Sequence, residues 1–405
     1  MSKENFRNKP EGMNTIQLLK HSSSMLGLGP NDAMNVAEKL YLGGFITYPR
    51  TETTFYNPNF DFHSLLNSIS KSSNPLAEYA DQLLQFGFSA SKSGVDAGDH
   101  PPIMPTHKVP AKGFLSGQEF KLYDYICRTF LASLSRDACF VKTKIIFEAA
   151  GHQFSLNGTT VVDSGFTEIT PWVKMSNKAI PNLEKGQEFP LSEISVVELQ
   201  TSAPNYLSES ELMSLMEKNG IGTDASMATH INNICQRNFV EVITRARRLK
   251  PTPLGNALIQ GYKEIDTELI SAELRSNIEK NMDLIAQGKK DIDSVLSTVL
   301  SIFKQKYEYF RQNISKLEMT FVQVYGTFMD SLKKGIPFSL CGRCSQKMLL
   351  VEDFNKTYCK NCKITLNLPR DAKYSLESTQ SCPLDGYQII NYYIRMFCLL
   401  SKRRL

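Results

Sequence analysis

Residues 44–54 read GFITYPRTETT, and the choice of fold turns on them. Phe45, Ile46, Thr47 and Tyr48 are aromatic or β-branched and predict a short β-strand. Pro49 has no amide hydrogen to donate and ends the ladder there. Tyr48 is thereby set at a strand edge, two residues before Arg50. A phenol is a weak nucleophile until a nearby cation favours its anion. The planar guanidinium of Arg50 is suited to hold the phosphate that such an anion would attack. Taken alone, the tripeptide reads more readily as a core aromatic beside a surface charge. Neighbouring residues have to decide.

Working outward, residues 14–24 predict a helix opened by Asn14, with Gln17 as its capping-box partner. A second helix is expected over 32–42 with Asn31 as N-cap and Ala33, Met34, Ala37, Leu40 and Tyr41 on one face. Gly43-Gly44 then ends it and leads into the tyrosine strand. Residues 70–99 are polar apart from one helix at 76–86. Residues 96–106, DAGDHPPIMPT, hold too much Gly and Pro for regular structure. A helix follows at 118–134, and alternating apolar and polar residues over 140–200 predict antiparallel β-structure.

Residues 208–315 return to helix. Ser208 and Glu211 form a second capping box, Asn219-Gly220 stops that helix, and another ends near Arg237. A strand at 239–243 and a basic turn with Arg245, Arg247, Arg248 and Lys250 complete the outline of a winged helix. The exposed amides of the second helix start and the wing arginines both suit phosphates. A small helical domain with a solvated basic loop fits the same residues.

The chain has 405 residues, 41% hydrophobic and 21% charged, an ordinary globular composition with room for two to four domains. A net charge of +5 is compatible with a polyanionic partner without requiring one. No apolar run approaches the ~18 residues of a membrane span, and the polar start MSKENFRNKPEG argues against a signal peptide and secretion. Of nine cysteines, Cys127, Cys139 and Cys235 stand alone and read as small buried hydrophobes, whereas six follow residue 340. Cys341-x-x-Cys344 and Cys359-x-x-Cys362, separated by fourteen residues, predict a structural zinc ribbon in which four thiolates fill the tetrahedral shell. Tyr358, Lys360, Lys347, Lys356 and Lys363 give it basic and aromatic faces suited to single strands. Cys382 and Cys398 remain as a pair without good partners, the first opening what resembles another finger.

Five segments together resemble the type IA DNA topoisomerases: LYLGGFITYPRTETT (40–54), DAGDHPPIMPT (96–106), LSESELMSLMEKNGIGTDAS (207–226), HINNICQRNFV (230–240) and LKPTPLG (249–255). Their order and spacing match from residue 13 to 310. The resemblance implies Tyr48 as the nucleophile that keeps a 5′ phosphate, with Arg50 positioning that phosphate. It also implies His100 near the phosphate and Glu52 orienting Arg50. Gly222, Thr223 and Ser226 would grip single-stranded DNA beside the site, with Arg237 and the wing residues Arg245, Arg247, Arg248 and Lys250 on phosphates. Because one phosphodiester is exchanged for another, religation needs no ATP, and no GxxxxGK[ST] loop is present to bind it.

The expected fold is a multidomain α+β core. It comprises a remnant at 1–12, a helical domain with Tyr48 at 13–137, a β-rich arch at 138–205, a winged-helix-like domain at 206–315 and a zinc-ribbon tail at 316–405. Family members begin with a Toprim domain whose acidic cluster binds Mg²⁺. The only D-x-D here, Asp291-Ile292-Asp293, reads as a solvated helix face. The expectation is therefore an internal piece of the enzyme, inert until that domain is supplied. A single-strand-binding fragment that cannot cleave is the alternative. RNA as a second substrate, a Tudor-domain scaffold as partner, and a nuclear or also cytoplasmic location follow from the resemblance alone.

Overall fold

The polar start of the chain is a strand. In the computed structural model, which describes residues 2–115, 117–181, 183–223, 226–243, 246–323, 335–352, 355–369 and 372–394, β1 (Ser2–Arg7) pairs antiparallel with β2 (Ala138–Ala149). β3 (His152–Asp163) pairs with the other edge of β2, so the sheet order is β1-β2-β3. The β-structure expected over 140–200 stops there. Over residues 164–201 the described chain forms a single bridge, Lys178 to Thr159, and EISVVELQT makes no strand. Alternation marks two faces, but a strand also needs a neighbouring edge to bond. Val196 and Leu199 lie 95% and 86% exposed.

A helical body lies between β1 and β2. α1 (Thr15–His21) opens on the predicted capping box, the Asn14 side chain taking the Gln17 amide and Gln17 returning to the Asn14 amide. A π-helical turn at Ser22–Leu26 follows, closed by Gly27 at φ 68°. α2 (Pro30–Leu42) starts two residues before its expected position, capped by Gly29 rather than Asn31. Pro30 fits the first helical position because its missing amide hydrogen would have had no partner there. Ala33, Met34, Ala37 and Leu40 are buried as predicted, while Tyr41 turns outward.

α3 (Phe62–Ser70), which the sequence reading passed over, packs on α4 (Ala77–Phe86). α5 (Gly117–Leu134) is the central helix. Leu122, Ile126, Phe130 and Leu134 recur at helical spacing and meet Leu65, Leu66 and Ile69 of α3 and Val36, Ala37 and Leu40 of α2 in one buried cluster.

Residues 45–48 do not form the predicted strand. A single bridge joins Ile46 to Pro105, and another joins Met13 to Ile103. Pro49, Pro101, Pro102 and Pro105 remove the donors a ladder would need, and threonine hydroxyls take over. Thr47 Oγ1 donates to Pro102 O at 2.8 Å and accepts from the Met104 amide at 3.0 Å. Thr15 Oγ1 donates to Pro49 O and accepts from the Thr51 amide, each at 2.8 Å.

The later helices follow the sequence closely. α6 (Glu209–Lys218) carries the Ser208–Glu211 capping box and ends at Asn219, with Gly220 at φ 62°. α7 (Met227–Gln236) ends at Arg237, and β4 (Val240–Ile243) pairs antiparallel with β5 (Arg248–Pro251) in a hairpin. α8 (Pro253–Ile265), α9 (Ala272–Ala286) and α10 (Ile292–Gln312) follow. Asp291 caps α10 through the Ser294 amide at 2.9 Å, which makes the D-x-D segment an exposed helix start. No described helix is long and apolar enough to cross a membrane.

The chain divides into two compact units, Met1–Asn256 with Ser271–Ile302, and Ala257–Ile270 with Phe303–Leu405. In the second, β6 (Ile336–Leu340), β7 (Lys347–Val351), β8 (Lys356–Cys359) and β9 (Ile364–Asn367) form an antiparallel meander. A hairpin of β10 (Ala372–Ser381) and β11 (Gln388–Ile394) follows.

Thr15→Val preserves shape at a fully buried position but leaves Pro49 O and the Thr51 amide unpaired. It is expected to destabilise the first unit by about 2–3 kcal/mol, measured as a lowered midpoint of urea unfolding.

Candidate active site and metal centre

The threonine-stitched segment presents Tyr48 half-buried between two rings. The His100 imidazole stands 4.6 Å away, centroid to centroid and edge-on, and the Tyr41 ring 5.1 Å away in the same manner. Tyr41 reaches it from the last turn of α2, and His100 from the Pro-rich segment. Among the described residues the Tyr48 hydroxyl has no hydrogen-bond partner, so its oxygen is not committed to the protein. Arg50 is held by Glu38 of α2, whose Oε1 accepts from Nε at 3.1 Å and from Nη2 at 2.6 Å. An ion pair this exposed fixes a side chain more than it stabilises a fold.

The backbone amide of Glu52 donates to Asp99 Oδ2 at 2.7 Å. Asp99 also receives the Thr53 hydroxyl, and Thr51 Oγ1 lies 3.1 Å from its Oδ1 and 2.7 Å from His100 O. Partial burial works against the Asp99 anion, but the bonds from Thr53, the Glu52 amide and Thr51 outweigh it and hold the carboxyl below its usual range. One carboxylate thus joins the Tyr48–Arg50 segment to the His100 segment.

The predicted nucleic-acid residues divide into two groups. Gly222, at φ 80°, Thr223 and Ser226 form a turn before α7, in which Ser226 Oγ accepts from the Thr223 amide at 2.9 Å. Arg237 is exposed and makes no ion pair among the described residues. Arg245 lies outside the described residues. Arg247 does not stand out into the loop. Its Nε and Nη2 clasp Glu209 at 2.6 and 2.8 Å, and Glu209 is 1% exposed. Ser23 adds a bond to Glu209 Oε2 at 2.7 Å. Arg248 reaches Tyr206 O and lies 3.7 Å from Glu211, while Lys250 pairs with Glu241 at 3.1 Å.

Cys341, Cys344, Cys359 and Cys362 converge as predicted, their sulfurs all within 4.8 Å of one another. Sγ of Cys341 is 4.0 Å from Cys362 and Sγ of Cys344 is 3.5 Å from Cys359. A tetrahedron with zinc–sulfur bonds of 2.3 Å spaces its sulfurs at about 3.8 Å, so this donor set fits zinc. Cys341 and Cys359 are buried with Met348 beneath the two knuckles. Cys382 is not among the four, and Cys398 lies outside the described residues.

A family model described as DNA topoisomerase matches residues 1–297. The chain belongs to the DNA topoisomerase family. Mouse DNA topoisomerase 3-beta-1 is 42% identical over 391 residues, covering 96% of this chain and 44% of the mouse protein. DNA topoisomerase 3-beta of Oryza sativa subsp. japonica is 42% identical over 390 residues, again 96% of this chain and 44% of the relative. Human DNA topoisomerase 3-alpha is 31% identical over 369 residues, or 89% and 36% of the two chains, so this topoisomerase chain stands nearer the beta relatives. Full-length topoisomerase I of Thermotoga maritima superposes with a TM-score of 0.57 at 21% identity, over 92% of this chain and 59% of that one, a likeness of fold. The type IA resemblance of the motifs therefore holds, and the chain spans less than half the length of its 3-beta relatives.

In this topoisomerase chain, sequence reasoning missed Glu38, Tyr41's contact with Tyr48, Asp99 and Glu209. Glu38 sits twelve residues before Arg50 on a half-buried helix position, and nothing in its spacing marks it. Asp99 stood in a segment already singled out, but its three donors are threonines and an amide that no motif identifies.

The lowered Asp99 carboxyl has a pH signature. Its folded-state pKa lies below the ordinary 3.8, so its stabilisation is complete above that value and is lost as pH falls through the lower one. Asp99→Asn is expected to unfold at lower urea than the parent at about pH 6, and the gap is expected to close near about pH 2.

Proposed function

We propose that this chain carries the strand-cleaving half of a type IA topoisomerase, with Tyr48 as the nucleophile. The observation that carries the reading is a tyrosine whose ring is wedged between His100 and Tyr41, whose hydroxyl is uncommitted, and which precedes a carboxylate-oriented arginine by two residues. The Tyr48 oxygen gives up its proton, attacks a backbone phosphorus and forms an O–P bond as the bond to the 3′ oxygen breaks and that oxygen takes up a proton. The 5′ end is left as a phosphotyrosine, and the freed 3′ hydroxyl later reverses the step. Arg50 holds the phosphate oxygens, Glu38 and Glu52 set its orientation, and His100 lies beside the reacting group. One ester replaces another, so no ATP is consumed. Passage of a second strand through the break relaxes negative supercoils.

The Gly222–Thr223–Ser226 turn and Arg237 suit the single strand. Arg248 and Lys250 add charge to the wing. Arg247 serves the wing by holding its shape. In fold terms the reading corresponds to a helical nucleophile domain, a β-arch, a winged-helix-like domain and a zinc ribbon. RNA as a second substrate, a Tudor-domain scaffold partner and work in the nucleus rest on the type IA resemblance. Among the described residues, the cysteine cluster is the sole grouping of three or more His, Cys, Asp or Glu side chains able to share an ion. The carboxylates that the resemblance assigns to Mg²⁺ are not among them, and no step here is written through that ion.

The test is an SDS-stable adduct with a labelled single-stranded oligonucleotide, with the chain alone and with a Toprim domain from a relative added. An adduct is expected in the second mixture, and Tyr48→Phe is expected to abolish it. Strand binding without adduct in either mixture would sink the nucleophile assignment and favour the binding-fragment reading.

The four cysteines would hold zinc structurally, since four sulfurs leave no open position for a substrate. The purified chain is expected to contain about one zinc ion, and Cys359→Ser to lose it together with the β6–β9 meander, read by atomic absorption and by proteolysis of the tail.

A further inference from the structure

Residues 382–387, CPLDGY, repeat the backbone of the first cysteine knuckle. In residues 341–346 the Cys341 amide donates to Gln346 O at 2.9 Å and the Ser345 amide to Cys341 O at 2.8 Å, with Ser345 at φ 56°. In residues 382–387 the Cys382 amide donates to Tyr387 O at 2.8 Å and the Gly386 amide to Cys382 O at 2.9 Å, with Gly386 at φ 73°. Cys382 therefore matches Cys341, and Asp385 stands where Cys344 stands. Asp385 Oδ1 accepts the Tyr387 amide at 3.1 Å.

This third knuckle is pressed onto the first. A Cβ on Gly342 would stand 2.3 Å from Asp385 O and 2.6 Å from Tyr387 N, so glycine is what allows the two backbones to touch. The Leu340 amide donates to Gln388 Oε1 at 3.0 Å and fixes the same contact from the strand side. The docking lays the half-buried Tyr387 ring against the buried Cys341, Met348 and Cys359.

We infer that residues 382–387 are a metal-free knuckle that caps the four-cysteine site, and that Tyr387 is a positioning residue whose ring covers the cluster at Cys341 and slows metal exchange. The inference rests on the zinc reading above. A ring packed on the cysteine cluster denies water and a competing ligand the approach to those sulfurs. Asp385 keeps the knuckle's shape by taking the Tyr387 amide.

The experiment uses the full chain loaded with zinc, and separately with cobalt(II). Tyr387→Ala removes the ring and leaves the knuckle's backbone. It is expected to speed zinc transfer to a chromogenic chelator about tenfold, with the thiolate-to-cobalt absorption bands and the far-UV spectrum unchanged, whereas Tyr387→Phe, which keeps the ring, is expected to hold the parental rate. Gly342→Ala is expected to lift the cap and speed transfer at least as much. Tyr393→Ala, at a ring 71% exposed, is expected to leave the rate unchanged. An unchanged transfer rate in Tyr387→Ala, or an equal rise in Tyr387→Phe, would overturn the inference and leave the zinc site standing. A parent chain that takes up neither metal would overturn both.

Discussion

Everything around Tyr48 depends on how a proline-rich segment satisfies its backbone. Four prolines within and opposite the 45–54 segment delete donors that a sheet would have used, yet Thr15, Ile46 and Thr51 beneath them are buried. An unpaired carbonyl there would cost about 1–3 kcal/mol. Threonines answer this because a hydroxyl can accept and donate at once. Thr15 spans Pro49 O and the Thr51 amide, and Thr47 spans Pro102 O and the Met104 amide. A ladder would also have flattened residue 48 into a regular pleat. The irregular stitching instead turns the Tyr48 ring into the gap between α2 and the His100 segment.

The same reasoning explains which parts of the chain were legible beforehand. Capping boxes are local: Asn14 with Gln17, and Ser208 with Glu211, need only a few residues to declare themselves, and both helices began where expected. The cysteine spacing is local too, and metal geometry leaves it few alternatives. Strands are different, because whether an alternating segment becomes one depends on an edge elsewhere. Residues 194–201 alternate well and pair with nothing described, whereas the polar residues 2–7, with little pattern, complete a sheet because β2 offers them an edge. Of the candidate site, Tyr48, Arg50 and His100 stood in legible motifs, and the structure sets the His100 ring against Tyr48. Glu38 and Asp99 were not legible, because their contacts exist only after folding.

Arg247 shows how a correct outline can misplace a charge. A basic turn after a hairpin strand reads as a phosphate-seeking wing, and the hairpin is there. Yet Glu209, one residue past its helix cap, is buried, and a buried carboxylate without a partner is far costlier than a guanidinium withdrawn from solvent. Arg247 is accordingly drawn inward, and its charged form is favoured further by the bonds to Glu209. Gly29 leaves the room: a Cβ there would come within 2.7 Å of Arg247 Nη2. Such a pair contributes little net stability but strongly fixes geometry. It locks the wing to α6 and, through Ser23, to the turn after α1.

Glu38 gives Arg50 a related but lighter constraint. Both groups are partly exposed, so water screens their attraction and the pair is weak enough to yield to a phosphate, which offers a guanidinium the same planar two-point contact. A reversible strand break has to avoid holding either ester too firmly, since the phosphotyrosine must be as easy to undo as to form. On the cleavage proposed above, an arginine balanced by a nearby carboxylate would meet that need better than an unopposed cation. It would orient the phosphate without sinking the covalent intermediate into a well from which the 3′ hydroxyl could not recover it.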